Sequence, residues 1–119
     1  MDEKKLPVGT IMAARYTYGG ETQLWKFYKI LGYTPTKVRL IEIESKTVYD
    51  DGKTGPHYYD DPRHCIPVEY FGRYNEIGIP FLRKYRFSKY DGEMCVTPEE
   101  FYYASGAWDG KPLEEYNYH

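Results

Sequence analysis

Long apolar runs are missing from this chain of 119 residues, and so are the compact signatures of catalysis. No apolar stretch exceeds a few residues, which excludes a membrane-spanning helix. The start, Met1-Asp2-Glu3-Lys4-Lys5, is charged and leads into no apolar segment. That pattern gives the expectation of no secretory signal and a cytoplasmic location. Cysteine is scarce: Cys65 and Cys95 are too few for a disulfide framework and are expected as free thiols in a reducing compartment. Serine is nearly as rare, and Ser45, Ser88 and Ser105 sit in no Gly-x-Ser-x-Gly elbow. A phosphate-cradling glycine loop is also missing, as is a localised pair of carboxylates. His57, His64, Cys65 and Cys95 match no zinc spacing, and neighbours such as His64 and Cys65 diverge in extended chain. Asp50, Asp51, Asp60 and Asp61 lack the ordered spacing and central glycine of a calcium loop. No metal and no cofactor are expected, and catalysis would need residues that only the fold brings together.

What the chain has in excess is aromatic side chains: fifteen Tyr, five Phe and two Trp. Tyrosine offers a large rigid contact face and a polar tip at the cost of two torsions, so a surplus points to surfaces that bind. Net charge is −2, but it is segregated. Residues 1–90 carry fifteen Lys/Arg against eleven Asp/Glu, and residues 91–119 carry one Lys against seven acids. An acidic end beside a basic body folds back for self-neutralisation or presents an acidic patch to a basic partner.

One domain spanning 1–119 is expected from length. Val8 to Tyr16 reads as a first strand, with a turn at Tyr18-Gly19-Gly20-Glu21, where adjacent glycines admit positive φ. A second strand runs over Gln23–Leu31. It places Leu24, Lys26, Tyr28 and Ile30 on one face and Trp25, Phe27 and Lys29 on the other, so both faces carry bulk. After a turn at Gly32-Tyr33-Thr34-Pro35, a third strand covers 36–48. Its alternation slips between Leu40 and Ile41, the mark of a β-bulge or bend. Residues 49–67, rich in Gly, Pro and Asp, read as a long loop, and 66–74 as irregular extended chain. Phe81–Tyr90 alternates as a strand, joined by Asp91-Gly92 to Glu93–Val96 in the strongest hairpin signal of the chain. Thr97 as N-cap, Pro98 at the first helical position and Glu100 in a capping box predict a short helix from Pro98 to about Ser105 that turns Phe101 and Ala104 to the core. The expected fold is all-β, a small antiparallel barrel or roll of five or six strands with this one C-terminal helix.

Two surfaces compete as binding sites. Tyr58 and Tyr59 in the loop, Tyr102 and Tyr103 on the helix, and Tyr116 and Tyr118 in the tail are hard to bury together, because adjacent rings diverge. With Trp108, Asp109, Glu114 and Glu115 they form a candidate protein-binding surface, aromatic with a polar rim; packing of the rings over a thin core is the alternative. Arg83, Lys84, Arg86 and Lys89, with Tyr90, form a cationic stretch suited to nucleic acid. Strand alternation splits it, setting Arg83 with Tyr85 and Phe87 against Lys84 and Arg86, and an edge strand protected from aggregation explains the same residues.

Two segments carry a resemblance. One runs from Tyr18-Gly19-Gly20-Glu21-Thr22-Gln23 through Phe27-Tyr28-Lys29-Ile30 to Lys37-Val38-Arg39-Leu40, and the other is Ala107-Trp108-Asp109-Gly110-Lys111-Pro112. Together they resemble a group of small proteins encoded by phages and other mobile elements, over about a third of the chain, with departures at Gly20, Leu24 and Trp25. The resemblance implies a host-cell setting in which such proteins antagonise host defence, anti-CRISPR proteins among them; it assigns no functional residue. The expected function is therefore a non-catalytic accessory protein that occludes a host defence protein. A nucleic-acid-binding module is the alternative, and a nucleotide-binding or nucleotide-sequestering protein the second alternative.

Overall fold

The computed structural model describes residues 4–52, 57–58 and 61–117, which form ten β-strands and, among these residues, no helix. In chain order they are β1 (Ile11–Tyr18), β2 (Thr22–Tyr33), β3 (Lys37–Ile43), β4 (Ser45–Tyr49), β5 (Arg63–Pro67), β6 (Glu69–Tyr70), β7 (Arg73–Tyr74), β8 (Glu76–Phe87), β9 (Met94–Val96) and β10 (Leu113–Asn117). All pairings are antiparallel. The main sheet runs β4-β5-β10-β2-β3-β8-β9, with β1 on β2 and a separate β6–β7 hairpin.

Local chemistry sets the register. Gly19 and Gly20 both hold positive φ, and Glu21 N–H closes the turn on the Tyr18 carbonyl at 3.1 Å. This fixes Tyr18 opposite Thr22, and so Arg15 opposite Trp25 and Met12 opposite Tyr28. The phase slip expected at Leu40–Ile41 is present: the β3–β8 ladder shifts between Leu40 and Glu42. Val38, Leu40, Ile41 and Ile43 are all buried as a result, because the bulge turns the strand from one core to another.

There are two cores, one on each face of β2. Met12, Ile30, Val38, Leu40, Met94 and Val96 form the first, with Phe81, Tyr85 and Phe87 of β8 packed against it. Phe27, Ile43 and Cys65 form the second, joined by Trp25, Trp108 and Leu113. Complete burial of a ring or branched chain contributes roughly 1.5–3 kcal/mol each. Dividing the core spreads the molecule: its radius of gyration is 15.4 Å, against about 13.5 Å for a compact chain of this length.

Several expectations need correction. The C-terminal helix does not form. Residues 97–104 make a single turn, Tyr102 N–H to Glu99 carbonyl at 3.2 Å, and Phe101 takes a φ of 69° with its ring in solvent. The neighbouring donors are claimed by strands: Tyr103 N–H bonds the Arg15 carbonyl, and Ser105 exchanges both backbone bonds with Val96. Two turns of helix cannot outweigh that, since nucleation is costly and capping adds only about 1 kcal/mol. The barrel does not close either. β9 is three residues long and ends before Pro98, which cannot donate to a ladder, so the gap to β1 is spanned, among the described residues, by isolated bridges at Ser105 and Ala107 and by the single backbone bonds of Tyr103 and Trp108 to β1 rather than by a continuous ladder. There are ten strands among the described residues, not five or six, because β5, β6, β7 and β10 form in stretches expected to be irregular and the expected third strand divides at Glu44. There the backbone leaves the β2–β3–β8 sheet, bonding Asn75 and Val68, before β4 pairs with β5. The loop expected over 49–67 is shorter, since Arg63–Pro67 pairs with β4 and β10. The stretch at 66–74 contains the β6–β7 hairpin, whose tip places Phe71 at a φ of 52°.

Candidate functional site

A groove of about 450 Å³ that brings three aromatic rings and a cation together lies beside the open seam. Its floor follows from sequence. Ala104, Ser105, Gly106 and Ala107 are four small residues between two rings, Tyr103 and Trp108, and they bridge β9 to β1 at close range. Ala13, Arg15 and Trp25 of the β1–β2 hairpin form the opposite wall.

The rings are held rigidly. Trp108 meets Phe27 edge-on at 5.2 Å between centroids, and its Nε1–H donates to the Lys111 carbonyl at 2.7 Å. Trp25 Nε1–H donates to the Glu114 carbonyl at 2.9 Å, and its backbone N–H to Glu115 Oε2 at 3.2 Å. Tyr103 shares a hydroxyl bond with Thr17 at 3.1 Å while half its surface stays exposed. The Arg15 guanidinium lies 4.8 Å from the centre of the Tyr103 ring, a cation–π contact, and among the described residues it makes no ion pair with a carboxylate. An aromatic-walled trough of mixed polarity with one stacked cation has the chemistry to take a ring or branched side chain next to an anion.

The expected protein-binding residues disperse around this groove. Tyr103, Trp108 and Asp109 line it. Asp109 Oδ1 also accepts the Lys111 N–H, which shapes the tight turn before β10. Tyr102 is instead half-buried against Tyr16, with centroids 5.5 Å apart. Glu114 is exposed, whereas Glu115 is buried and accepts hydrogen bonds from Trp25 and Thr47. Tyr116 pairs with Gln23 in the sheet. Tyr58 is exposed in the β4–β5 loop, its N–H bonded to Asp61; Tyr59 and Tyr118 lie outside the described residues. Trp25 and Arg15 were not foreseen. The Gly19-Gly20 turn fixes them as a directly opposed pair, a signal present in the sequence.

A second polar cluster sits on the other face of β2. Glu99 accepts from Lys26 Nζ at 2.9 and 3.0 Å and from the Tyr28 hydroxyl at 2.9 Å. Partial burial opposes its charge, but these two donors outweigh it, and its carboxyl titrates below the ordinary range. Burial, then the Glu99 bond, pushes the Tyr28 hydroxyl far upward. Glu42, directly across from Tyr28, is raised by burial, with Lys26 opposing and Glu99 adding to the shift. This cluster ties the 97–104 turn to β2. The Cys65 thiol is pushed up to about 12 by burial and by Glu115, which leaves it a poor nucleophile at neutral pH. Both cysteines are free. In the loop, Asp50 engages His64 at 2.6 Å and Asp51 engages His57, which stacks on Tyr49; Asp60 lies outside the described residues.

Of the cationic stretch, Arg83 shares the strand phase of Phe81, Tyr85 and Phe87 but is exposed: it lies over the Phe81 ring at 4.5 Å and donates to the Pro98 carbonyl at 3.0 Å. Lys84 and Arg86 project to the opposite face, and Lys89 and Tyr90 sit exposed in the β8–β9 loop. Compared with known proteins, the chain matches no family model, no curated protein and no solved structure. No helix among the described residues is long and apolar enough to cross a membrane.

Proposed function

We propose that the protein acts without catalysis, as a binding module whose aromatic groove seats a segment of a partner protein. The reading rests on one observation: Trp25, Tyr103 and Trp108 surround a floor of small residues, and Arg15 stands in the same lining over the Tyr103 ring with no carboxylate partner among the described residues. Rigid rings lose little freedom on binding, and Trp, Tyr and Arg are the side chains that most often dominate interface energetics. The segment that fits carries a large apolar side chain beside an Asp or Glu, the first filling the trough and the second reaching Arg15. Occlusion of a host defence protein by a phage-encoded accessory protein is the setting that the sequence resemblance supplies, and the groove supplies the means. The site thus shifts from the acidic tail to the face shared by the β1–β2 hairpin and residues 103–109.

Panning a displayed peptide library against the protein tests this. The unaltered chain enriches peptides that join an aromatic or branched residue to an acid, and Arg15→Ala/Tyr103→Ala enriches none of them. Equal enrichment on both proteins, or none on either, removes the groove as the docking site.

A further inference from the structure

The face of the sheet opposite the first core carries an unusual row of charge. Val38 and Leu40 of β3 are fully buried, so Lys37 and Arg39 alternate outward; Tyr85 and Phe87 of β8 pack inward, so Leu82, Lys84 and Arg86 point out on the same side. The β3–β8 register then sets Lys37 directly across from Lys84, and Arg39 across from Leu82. Four cations from two sequence segments share one small patch. None forms an ion pair with a carboxylate among the described residues.

Like charges directly opposed on a sheet are unfavourable. Elsewhere in this sheet charge is paired: Lys29 of β2 reaches past β3 to Glu76 of β8 at 3.1 Å. Two grooves flank the row, one of about 580 Å³ lined by Tyr33, Arg39, Phe81 and Leu82, the other of about 310 Å³ lined by Lys84, Tyr85 and Arg86. Alternate residues on a strand stand about 6.7 Å apart, so each of the pairs Lys37/Arg39 and Lys84/Arg86 can follow successive phosphates of one polynucleotide strand.

We infer that this face, centred on Lys37, Arg39, Lys84 and Arg86, binds the sugar-phosphate backbone of single-stranded nucleic acid, with unstacked bases entering the flanking grooves. Charge complementarity selects a polyanion. The grooves on both sides select a flexible strand over a duplex or a lipid surface, because only unpaired bases can leave the backbone to enter them. The residue set differs from the contiguous cationic stretch: Arg83, on the alternate side of β8, is engaged by the Pro98 carbonyl, and Lys37 and Arg39 take its place. With a net charge of −2, the attraction is local to this face.

Fluorescence anisotropy with a fluorescein-labelled oligothymidylate, titrated in KCl, tests the inference. Neutralising about four phosphates predicts a slope of roughly −3 for log affinity against log salt, a loss of roughly 50-fold between 50 and 200 mM. The variant Lys37→Ala/Arg39→Ala/Lys84→Ala/Arg86→Ala abolishes binding, while Lys111→Ala, far from the face, leaves it intact. The salt slope of the unaltered chain stands independently of whether the fourfold variant folds. No binding at 50 mM KCl, undiminished binding by a folded fourfold variant, or tighter binding to the matching duplex or to vesicles rich in phosphatidylserine would each overturn it.

Discussion

In the aromatic groove nearly every polar atom on the rings has a fixed acceptor: Trp25 and Trp108 donate to backbone carbonyls, and Tyr103 shares a bond with Thr17. On the basic face, by contrast, Lys37, Arg39, Lys84 and Arg86 have no ion-pair partner among the described residues, and two are set head to head. The groove is built like a core that happens to be open, whereas the basic face stores unfavourable charge. Disturbing the first therefore costs stability, and neutralising the second improves it. Arg15 crosses this division: it belongs to the groove but has no carboxylate partner among the described residues.

The sharpest way to break the contrast is Phe27→Ala. Phe27 is fully buried and supports Trp108 edge-on, so its loss removes the floor of the second core. Chemical denaturation is expected to show a loss of about 3–5 kcal/mol; a loss under about 1 kcal/mol would mean that the groove is not anchored as described. Next comes acid. Glu99 titrates below its ordinary value, so its stabilisation is complete above the unfolded carboxyl range near 4.5 and fades as pH falls through that range to its own lower value. Glu42, raised instead, has the opposite sign: its contribution is greatest below 4.5 and declines as pH rises through its folded value. Melting temperature should drop between pH 5 and 3, and Glu99→Gln should flatten that part of the curve; an unchanged slope would show that the Lys26–Tyr28 latch is not the acid-sensitive contact.

Lys84→Glu makes the contrast sharper. It places an acid across from Lys37, and a stability gain of about 0.2–1 kcal/mol is expected along with weaker oligonucleotide binding. A lower melting temperature would argue that the opposed lysines do not repel. Smallest in stability is Arg15→Ala, expected within about 0.5 kcal/mol because the side chain is exposed, while peptide recognition by the groove is lost. Retained recognition would show that the stacked guanidinium is not part of the contact surface.

Features written into neighbouring residues were legible in the sequence. Gly19-Gly20 and Asp91-Gly92 mark turns, and the adjacent pair Leu40-Ile41 marks the place where β3 changes cores. Arg15 facing Trp25 follows from the first of these. What escaped depends on pairing across long stretches of chain. Thr97-Pro98-Glu99-Glu100 has sound helix-start chemistry, but Lys26 and Tyr28, some seventy residues earlier, hold the Glu99 side chain, and Arg15 and Val96 take the backbone groups that a helix needs. Local propensity of a few tenths of a kcal/mol per residue is easily overridden by such contacts. The apposition of Lys37 and Lys84 is likewise a product of the β3–β8 ladder, which no local pattern announces. The β6–β7 hairpin hid because its tip uses Phe71 at positive φ, a position where Asn or Gly is the usual signal.

The order of the strands governs how the chain can assemble. β10 follows β1–β9 in the chain yet lies between β5 and β2, so the β4–β5 hairpin has no ladder to join until residues 113–117 emerge. A nascent chain halted before Leu113 would leave that hairpin undocked and the Trp25 indole without its carbonyl acceptor. Maturation of the groove is in this sense a final event, timed by the arrival of one five-residue strand.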